Sequence, residues 1–191
     1  VANSLSPQPP AGPASLSTGW EEGEPQGLPD TVATSGGGIR SVSGTSCRPV
    51  ETQAHSGTRA LRLAGNADDP EYSYVYCKVF EQTIAVWPDS VLSYWVKPLN
   101  ERGLSTCVGM VFTDGSTLRD SSAKTSEGQP ARSGASTGKV GQWQQVTVPL
   151  GRTQRGRTIA AVMVAYDSRS GGGLFEALFD DLSITSQAAG R

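Results

Sequence analysis

The 191-residue sequence has one histidine, three cysteines and no long hydrophobic run. Because His55 is alone, Ser/His/Asp triads, multi-histidine metal sites and histidine proton relays are disfavoured. No apolar stretch approaches the roughly 20 residues that cross a bilayer. The net charge of −2 comes without a basic block, so the chain offers no electrostatic footprint for a nucleic-acid backbone. We therefore expect neither a nucleic acid nor a membrane as a partner.

Charged residues are also scarce, at 18% of the chain against a usual value of about 25%. The sequence contains 23 glycines and 12 prolines, which argues against a helix-rich protein. Its polar surface is built largely from serine and threonine, as in many secreted β-proteins. We therefore expect a secreted, extracellular protein.

The chain divides into a long central module and two short ends. The first 19 residues carry no charged side chain and include four prolines, so residues 1–17 are interpreted as a linker or a mature N-terminus. Residues 18–185 are predicted to form one β-sandwich module. Residues 186–191 are predicted to be a C-terminal tail.

Short runs with alternating apolar residues dominate the module, and no helical apolar stripe is present. The runs at 60–64, 72–80, 91–96, 107–113, 145–150, 159–166 and 174–184 predict strands, with weaker runs near Trp20 and at 39–42. This pattern favours an all-β fold with two packed antiparallel sheets. Residues 113–116 predict a tight hairpin turn, and the polar loop 121–141 is predicted to be functional or mobile.

Aromatic side chains on two strands suggest a sugar-binding surface. Tyr74 and Tyr76 share one face of their strand, and Trp95 lies opposite Tyr94 on the next. A tyrosine ring can stack on the C–H face of a sugar while its hydroxyl forms a hydrogen bond. The alternative is a cross-strand aromatic ladder or a set of core tyrosines.

Polar residues near strand ends extend this candidate site. An arginine with a nearby aspartate can hold vicinal sugar hydroxyls through charge-assisted hydrogen bonds. The candidates are Asp114, Arg119, Asp120, Tyr166 and Asp167. The alternative is a solvated turn with a local ion pair.

Oxygen-bearing side chains near both ends of the module suggest a cation site. The candidate ligands are Glu21, Glu22, Ser56, Thr58, Asp180 and Asp181. Carboxylate and carbonyl oxygens are the hard ligands that Ca²⁺ prefers, so a structural Ca²⁺ is the expected cofactor. Strand alternation places Asp180 on the inward side with Leu182 and Ile184, where a carboxylate needs a cation or a strong donor.

Three cysteines are too few for a disulfide framework. If Val75 and Cys77 face the core and Val108, Met110 and Phe112 do likewise, alternation points Cys107 away from the core, which disfavours a bridge between Cys77 and Cys107. If a bridge exists, Cys47 is the predicted partner of Cys107, and Cys77 is a buried free thiol.

Several segments resemble accessory domains of secreted actinobacterial glycoside hydrolases, such as α-mannosidases and other N-glycan-active enzymes. They are the opening Trp-Glu-Glu-Gly-Glu-Pro at 20–25, His-Ser-Gly-Thr-Arg-Ala-Leu at 55–61, the strand at 74–80, Val-Phe-Thr-Asp-Gly-Ser-Thr-Leu-Arg-Asp-Ser at 111–121, Val-Ala-Tyr-Asp at 164–167 and the closing Phe-Asp-Asp-Leu-Ser-Ile at 179–184. The resemblance implies a galactose-binding-domain-like jelly roll that forms one module of a larger enzyme. It also implies a structural calcium where the opening glutamates meet the closing Asp-Asp.

The sequence carries no nucleophile elbow, P-loop, zinc spacing or dinucleotide fingerprint. The favoured interpretation is a non-catalytic carbohydrate-binding-type module that binds a glycan weakly and belongs to a chain with a neighbouring catalytic domain. The alternative is a spacer or protein-interaction module that packs on the catalytic domain without binding sugar. A small jelly-roll hydrolase or lyase is a third reading. Aromatic rings exposed to solvent would favour the carbohydrate-binding module. Full burial of Trp95 and the tyrosines would favour the spacer.

Overall fold

A computed structural model describes residues 15–32, 42–134, 138–169 and 171–186 of the chain. These residues form nine strands, a 3₁₀ helix at Glu101–Ser105 and the one-turn helix α1 at Gly151–Gln154. The strands are β1 (Leu16–Thr18), β2 (Val42–Glu51), β3 (Arg59–Ala67), β4 (Ser73–Ala85), β5 (Val91–Pro98), β6 (Thr106–Phe112), β7 (Gln144–Val148), β8 (Thr158–Ser168) and β9 (Gly173–Thr185). Neither helix is long and apolar enough to span a membrane.

The strands form two antiparallel sheets, so the predicted β-sandwich is confirmed. Sheet A has the order β2-β3-β9-β5-β7, with β1 paired to β9, and sheet B has the order β4-β8-β6. From β3 onward, successive strands alternate between the sheets, which is how a jelly roll is wound. Strand β1 begins at Leu16, opposite Ile184, two residues before the predicted start of the module. Residues 1–14, 33–41 and 187–191 lie outside the described residues.

The core lies between the sheets and follows the alternation in the sequence. On β4, Val75 and Cys77 face inward, and on β5 Leu92, Tyr94 and Val96 do so. The core sides of β6, β8 and β9 are equally apolar; they contribute Val108, Met110, Phe112, Val162, Val164, Tyr166, Phe175, Ala177 and Phe179. Burial of each large apolar side chain stabilises the fold by about 1.5–3 kcal/mol.

One open side of the sandwich, between β2 and β4, is closed by residues 28–32. The Leu28 N–H donates to the Val79 carbonyl at 2.8 Å, and the Asp30 N–H donates to the Cys47 carbonyl at 2.6 Å. The Asp30 carboxylate accepts a hydrogen bond from the Cys47 N–H at 2.7 Å. This segment therefore joins an edge strand of each sheet and protects both edges from further pairing.

The opposite side, between β6 and β7, is closed by the residues that follow β6. The predicted turn is confirmed: the Phe112 N–H donates to the Ser116 carbonyl at 2.9 Å. Gly115 adopts φ of +83°, which glycine accepts without strain. The chain then crosses to sheet A, where the Ser126 N–H donates to the Thr147 carbonyl at 2.8 Å. Residues 119–134 thus form a wall with one rim beside sheet B.

The predicted inward orientation of Asp180 is wrong, because β9 contains a β-bulge beside this residue. Ser93 pairs with Ser183 and Trp95 pairs with Asp180, so β9 holds one extra residue between these pairs. Asp181 takes φ of +46° there. Because a bulge resets the alternation, Asp180 shares the outer face of sheet A with Trp95 and does not point inward with Leu182. Asp180 is nevertheless fully buried.

Candidate functional site

Three tyrosines lie along the outer face of sheet B, which we call the tyrosine face. Tyr74 is 5.3 Å from Tyr72 and 6.0 Å from Tyr76 between ring centroids. In register, Tyr74 stands beside Asp167 and Tyr76 stands beside Ala165 of β8. Tyr72 and Tyr74 are partly exposed, whereas Tyr76 is buried. The face therefore offers two accessible rings beside a carboxylate.

Arg119 extends from the wall across the tyrosine face, where it contacts Tyr72 and Asp167. Its Nη2 lies 3.0 Å from the Tyr72 hydroxyl and 2.9 Å from Asp167 Oδ2. The Tyr76 hydroxyl donates to the same carboxylate oxygen at 2.7 Å. Burial, with the hydrogen bond to Asp167 as the next cause, raises the pKa of Tyr76 above its usual range. Tyr76 therefore remains a hydrogen-bond donor at neutral pH.

Beside the tyrosine face, the outer side of sheet B carries a small apolar cluster that is buried. Tyr76, Cys107, Met163 and Ala165 form a separate small cluster on this outer side. A Cβ atom added to Gly109 would meet nothing within 4 Å, so there is open space above that strand. The partly exposed rings of Tyr72 and Tyr74 lie next to the Arg119–Asp167 pair, so this surface combines apolar and polar groups as a small-ligand site does.

Trp95 does not join this surface, because β5 belongs to sheet A. Its indole lies under the ring of His55, with 3.8 Å between centroids and 15° between planes. Trp143 contacts His55 edge-on at 5.7 Å. Trp95 is partly exposed, but the His55 ring occupies a stacking surface that a sugar would need. The sequence thus identified an outward tryptophan but grouped it with the wrong sheet.

The prediction that Tyr166 belongs to the sugar-binding surface is also wrong. It is fully buried and stacks on Phe175, with 4.0 Å between ring centroids. Tyr166 continues the inward alternation of Val162 and Val164, so it belongs to the core. Only its neighbour Asp167 reaches the tyrosine face.

Asp114 and Asp120 are occupied by local contacts of the hairpin rather than by the tyrosine face. Asp114 accepts hydrogen bonds from the Ser116 hydroxyl at 2.5 Å and from Arg157 at 2.6 Å. These bonds, with that from Ser116 the largest cause, hold the pKa of Asp114 well below its usual range. Asp120 accepts from the Thr117 hydroxyl at 2.7 Å. For these two residues the structure matches the local-turn alternative.

Glu21 fastens the start of the module to the loop before β3. Its Oε1 accepts from the backbone N–H groups of Thr58 and Arg59, both at 2.8 Å, and its Oε2 accepts from the Thr58 hydroxyl at 2.9 Å. These backbone bonds, with that from Arg59 the largest cause, lower the pKa of Glu21.

The same loop covers the two closing aspartates. Asp180 Oδ2 accepts from the backbone N–H groups of His55 at 2.8 Å and Ser56 at 3.1 Å. Asp181 lies 2.6 Å from His55 Nδ1 and accepts from the Ser56 hydroxyl at 2.7 Å. Burial raises the pKa of Asp180 despite the backbone donors. A buried carboxylate with a raised pKa gains from a nearby cation.

Glu24, which no sequence motif singles out, lies with these carboxylates. A Cβ atom added to Gly19 would lie 3.3 Å from Asp180 Oδ1 and 3.5 Å from both Asp181 Oδ1 and Glu24 Oε2. Glu22 and Glu24 are both exposed, but Glu24 Oε2 accepts hydrogen bonds from the backbone N–H groups of Gly19 at 2.6 Å and Glu21 at 3.2 Å. No sequence pattern separates Glu22 from Glu24, because both lie in an irregular turn. Oxygen-only donors fit Ca²⁺, but the described residues contain no cluster of three His, Cys, Asp or Glu side chains arranged to hold a metal.

The cysteine positions contradict the predicted Cys47–Cys107 partnership. Cys47 and Cys77 are both fully buried in the main core, where their thiols are near enough for Cys77 to raise the pKa of Cys47. Cys107 lies on the outer side of sheet B with Met163 and Ala165. All three are free thiols. The predictions that Cys77 is buried and that Cys107 points away from the core are confirmed.

Several known structures are similar to this chain. One belongs to a study of the promiscuous specificity of carbohydrate-binding modules from the β-sandwich superfamily, with TM-score 0.55 and 11% identity over 88% of this chain and 61% of that chain. The glycoside hydrolase domain of Endo-D from Streptococcus pneumoniae R6 gives TM-score 0.52 and 16% identity over 75% of this chain and 21% of that one. A family 30 carbohydrate-binding module of a Clostridium thermocellum cellulosomal cellulase gives 0.47 and 15%, over 91% and 98%.

No family model and no curated protein matches the sequence. The likeness to the first two structures shows the fold, a β-sandwich of the kind found in carbohydrate-binding modules and in parts of glycoside hydrolases. The chain spans 61% and 21% of the length of those two chains, so the activities of the whole proteins do not transfer with the fold.

Proposed function

We propose that this chain is a non-catalytic carbohydrate-binding module that binds a glycan weakly at the tyrosine face. The observation that carries the proposal is the Arg119–Asp167 pair set between the tyrosine hydroxyls and beside two partly exposed rings. The β-sandwich fold is compatible with this function. The resemblance in the sequence supports a place in a secreted actinobacterial glycoside hydrolase, next to a catalytic domain.

The chemistry of the surface suits a sugar. Tyr72 and Tyr74 can cover the apolar C–H face of a pyranose, while Arg119, which Asp167 holds in place, donates to hydroxyl groups. Sugars keep strong hydration, so we expect a dissociation constant on the order of 0.1–1 mM, or about 4–5.5 kcal/mol.

The same surface gives little support to glycoside hydrolysis. That reaction uses two carboxylates on either side of the scissile bond. At the tyrosine face, Asp167 is already bound by Arg119 and Tyr76, and the Asp69 carboxylate accepts hydrogen bonds from the backbone N–H groups of Glu71 and Tyr72. This arrangement favours binding without catalysis.

The spacer alternative has less support from the described surface. Among the residues that the structure describes, the large apolar side chains that are clearly exposed are Val140, at 37%, and Leu174, at 72%. A stable interface usually has a contiguous apolar centre.

Calorimetric titration with mannose-, galactose- and N-acetylglucosamine-containing glycans tests the proposal. We expect Tyr74→Ala to weaken binding about tenfold, because it removes an accessible stacking ring. Trp143→Ala is the matched control, since it removes a partly exposed aromatic ring from the other sheet. Absence of binding to every glycan tested would overturn the proposal, and equal losses in both variants would move the site away from the tyrosine face.

We also propose that a structural Ca²⁺ binds beside Gly19, with Glu24, Asp180 and Asp181 as carboxylate ligands and the remaining ligands drawn from carbonyl or hydroxyl oxygens. The support is the position of Asp180, Asp181 and Glu24 around Gly19, whose N–H donates to Glu24 Oε2 at 2.6 Å, and the full burial of Asp180. The three carboxylates are not arranged as a metal cage, so the ion would have to draw them together. Bound calcium would neutralise this like-charged group and hold the opening turn against β9.

A melting experiment tests the calcium proposal. At a Ca²⁺ concentration about 100-fold above its dissociation constant, we expect a melting temperature roughly 5–10 °C higher than in excess chelator. Glu24→Gln should remove most of this difference, whereas Glu22→Gln, which changes a carboxylate of the same turn that does not approach Gly19, should keep it. Identical melting curves with calcium and with chelator would exclude the site.

A further inference from the structure

A cavity of about 250 Å³ adjoins the tyrosine face at the end of sheet B. Its lining residues are Arg119, Arg132, Ser133, Asp167 and Arg169. Three of these five residues carry guanidinium groups and one carries a carboxylate. This composition is unusual in a chain whose net charge is −2.

The charges of the lining do not cancel. Asp167 is paired with Arg119 at 2.9 Å, and this pair is neutral as a unit. Arg132 and Arg169 are exposed, and neither has a carboxylate partner among the described residues. The Arg169 guanidinium lies 5.0 Å from the centroid of the Tyr72 ring, which fixes it beside the tyrosine face. The cavity therefore holds two uncompensated positive charges.

The backbone that carries these groups is anchored. Ala131 is buried and its N–H donates to the Ala123 carbonyl at 2.9 Å. The Ser133 hydroxyl lies within hydrogen-bonding distance of the Ser105 and Asp167 carbonyl oxygens. Arg132 lies between these two anchored residues, so its main chain is fixed relative to β8. The cavity is thus a built part of the fold and not a chance gathering of loop side chains.

We infer that the cavity binds an anionic group of a glycan, a carboxylate or a sulfate, whose sugar ring stacks on the tyrosine face. This inference rests on the proposed function and adds the charge of the ligand to it. Planar guanidinium groups recognise such oxyanions through paired N–H donors. The net charge of the whole chain is negative, so the attraction of an anionic glycan depends on the local positive charge of this cavity. The cavity therefore favours a glycan whose anionic group lies beside the sugar ring on the tyrosine face.

Calorimetric titration with matched pairs of oligosaccharides tests the inference. One pair is hexagalacturonate and its methyl ester, and the other is a sulfated chondroitin hexasaccharide and its desulfated form. We expect the charged member of at least one pair to bind tenfold or more tightly than its partner, and raising the salt concentration from 0.05 to 0.5 M to reduce this preference. The pair that shows the preference identifies carboxylate or sulfate as the group recognised.

Arginine variants test whether the preference for the charged oligosaccharide arises in this cavity. Arg132→Ala and Arg169→Ala should each weaken binding of the charged glycan about three- to tenfold, with little change for the neutral partner. Arg152→Ala removes an exposed arginine from helix α1 and serves as the control for net charge. An equal loss in Arg152→Ala would indicate a non-specific charge effect and would overturn the inference.

Failure of the inference is distinguishable from failure of the proposed function. Equal affinity for charged and neutral members of both pairs, with a loss in Tyr74→Ala, would retain a sugar site but refute selection of anions. Absence of binding to all four oligosaccharides and to the neutral glycans of the first experiment would refute both. Melting curves of each variant confirm that the fold is intact.

Discussion

The His55 imidazole lies flat on the Trp95 indole, with 3.8 Å between the ring centroids. His55 Nδ1 is held by Asp181 Oδ2 at 2.6 Å, and its backbone N–H is held by Asp180. The loop before β3 is therefore fixed to the outer face of sheet A by one stacking contact and by both closing aspartates. Trp95 acts here as a docking surface for the protein's own loop.

This relationship predicts the effect of removing the indole. Trp95→Ala should destabilise the fold by roughly 1–3 kcal/mol, below the 3–5 kcal/mol expected for a fully buried tryptophan, because the ring is partly exposed. It should leave glycan affinity unchanged. Urea unfolding and calorimetric titration measure the two quantities. Loss of affinity at unchanged stability would instead assign the sugar site to sheet A.

The buried hydroxyl of Tyr166 leads to a second prediction. It has no hydrogen-bond partner among the described residues, and a buried unsatisfied polar group costs about 1–3 kcal/mol. Tyr166→Phe keeps the stack on Phe175 and removes that group, so it should raise stability by about 1 kcal/mol. Glycan binding should not change.

Tyr94→Phe is the matched control, because the Tyr94 hydroxyl is not among the unpartnered buried polar atoms and the backbone N–H of Val108 is placed to form a hydrogen bond with it. Loss of that bond should lower stability by about 0.5–1.5 kcal/mol. The two substitutions remove the same atom from buried tyrosines, so opposite signs in urea unfolding are the expected result. A destabilised Tyr166→Phe variant would mean that its hydroxyl is satisfied in solution.

The strands and their inward faces were predictable because alternation is a local signal. It predicted strands at 72–80, 91–96 and 107–113 without knowledge of the topology, and these lie in β4, β5 and β6. It could not tell which sheet a strand joins, so Tyr74 and Trp95 were grouped although they lie on opposite outer faces. Sheet membership depends on long-range pairing, which short sequence windows do not contain.

Local irregularities explain the remaining differences. The bulge at Asp181 reverses the alternation, and nothing in the Phe-Asp-Asp-Leu segment signals an extra residue. The Arg119–Asp167 contact joins a wall to β8 across 48 positions of the sequence, so spacing alone could suggest both residues but not their distance. Arg132 and Arg169 were not selected, because isolated arginines in polar loops carry no pattern.

The cysteines lead to a third prediction. The hydrogen bond with Cys77, together with burial, raises the pKa of Cys47, and burial raises the pKa of Cys107 to about 12. A thiol reacts as its thiolate, so at pH 8 we expect native protein to resist a disulfide exchange reagent. All three thiols should react after unfolding in guanidinium. Rapid labelling of the native protein would contradict their burial.

Oxidative refolding separates the possible pairs. With glutathione disulfide as oxidant, two thiols form one disulfide while one glutathione disulfide is reduced to two glutathione molecules. Peptide mapping should then find Cys47 linked to Cys77, which face each other across the core. A Cys47–Cys107 link would require contact through sheet B and would show that the register of β6 is different.

The last prediction concerns acid unfolding, where Glu21 and Asp180 act with opposite signs. The pKa of Glu21 is lowered in the fold, so its stabilisation is present above its unfolded pKa and is lost as pH falls toward its folded pKa. The pKa of Asp180 is raised in the fold. Between its unfolded and folded pKa values the native state binds the extra proton, so Asp180 reduces stability as pH rises through that window.

Two substitutions separate these contributions, with urea unfolding measured in chelator between pH 7 and pH 3 so that calcium plays no part. Glu21→Gln should lower stability at pH 7 and flatten the acid limb, because the proton-linked bonds to Thr58 and Arg59 are gone. Asp180→Asn should make the acid limb steeper, because the opposing titration is removed. Glu22→Gln should follow the wild type, since that carboxylate is exposed. A flatter acid limb in Asp180→Asn would mean that the buried carboxylate is stabilised as the anion, as it would be beside a retained cation.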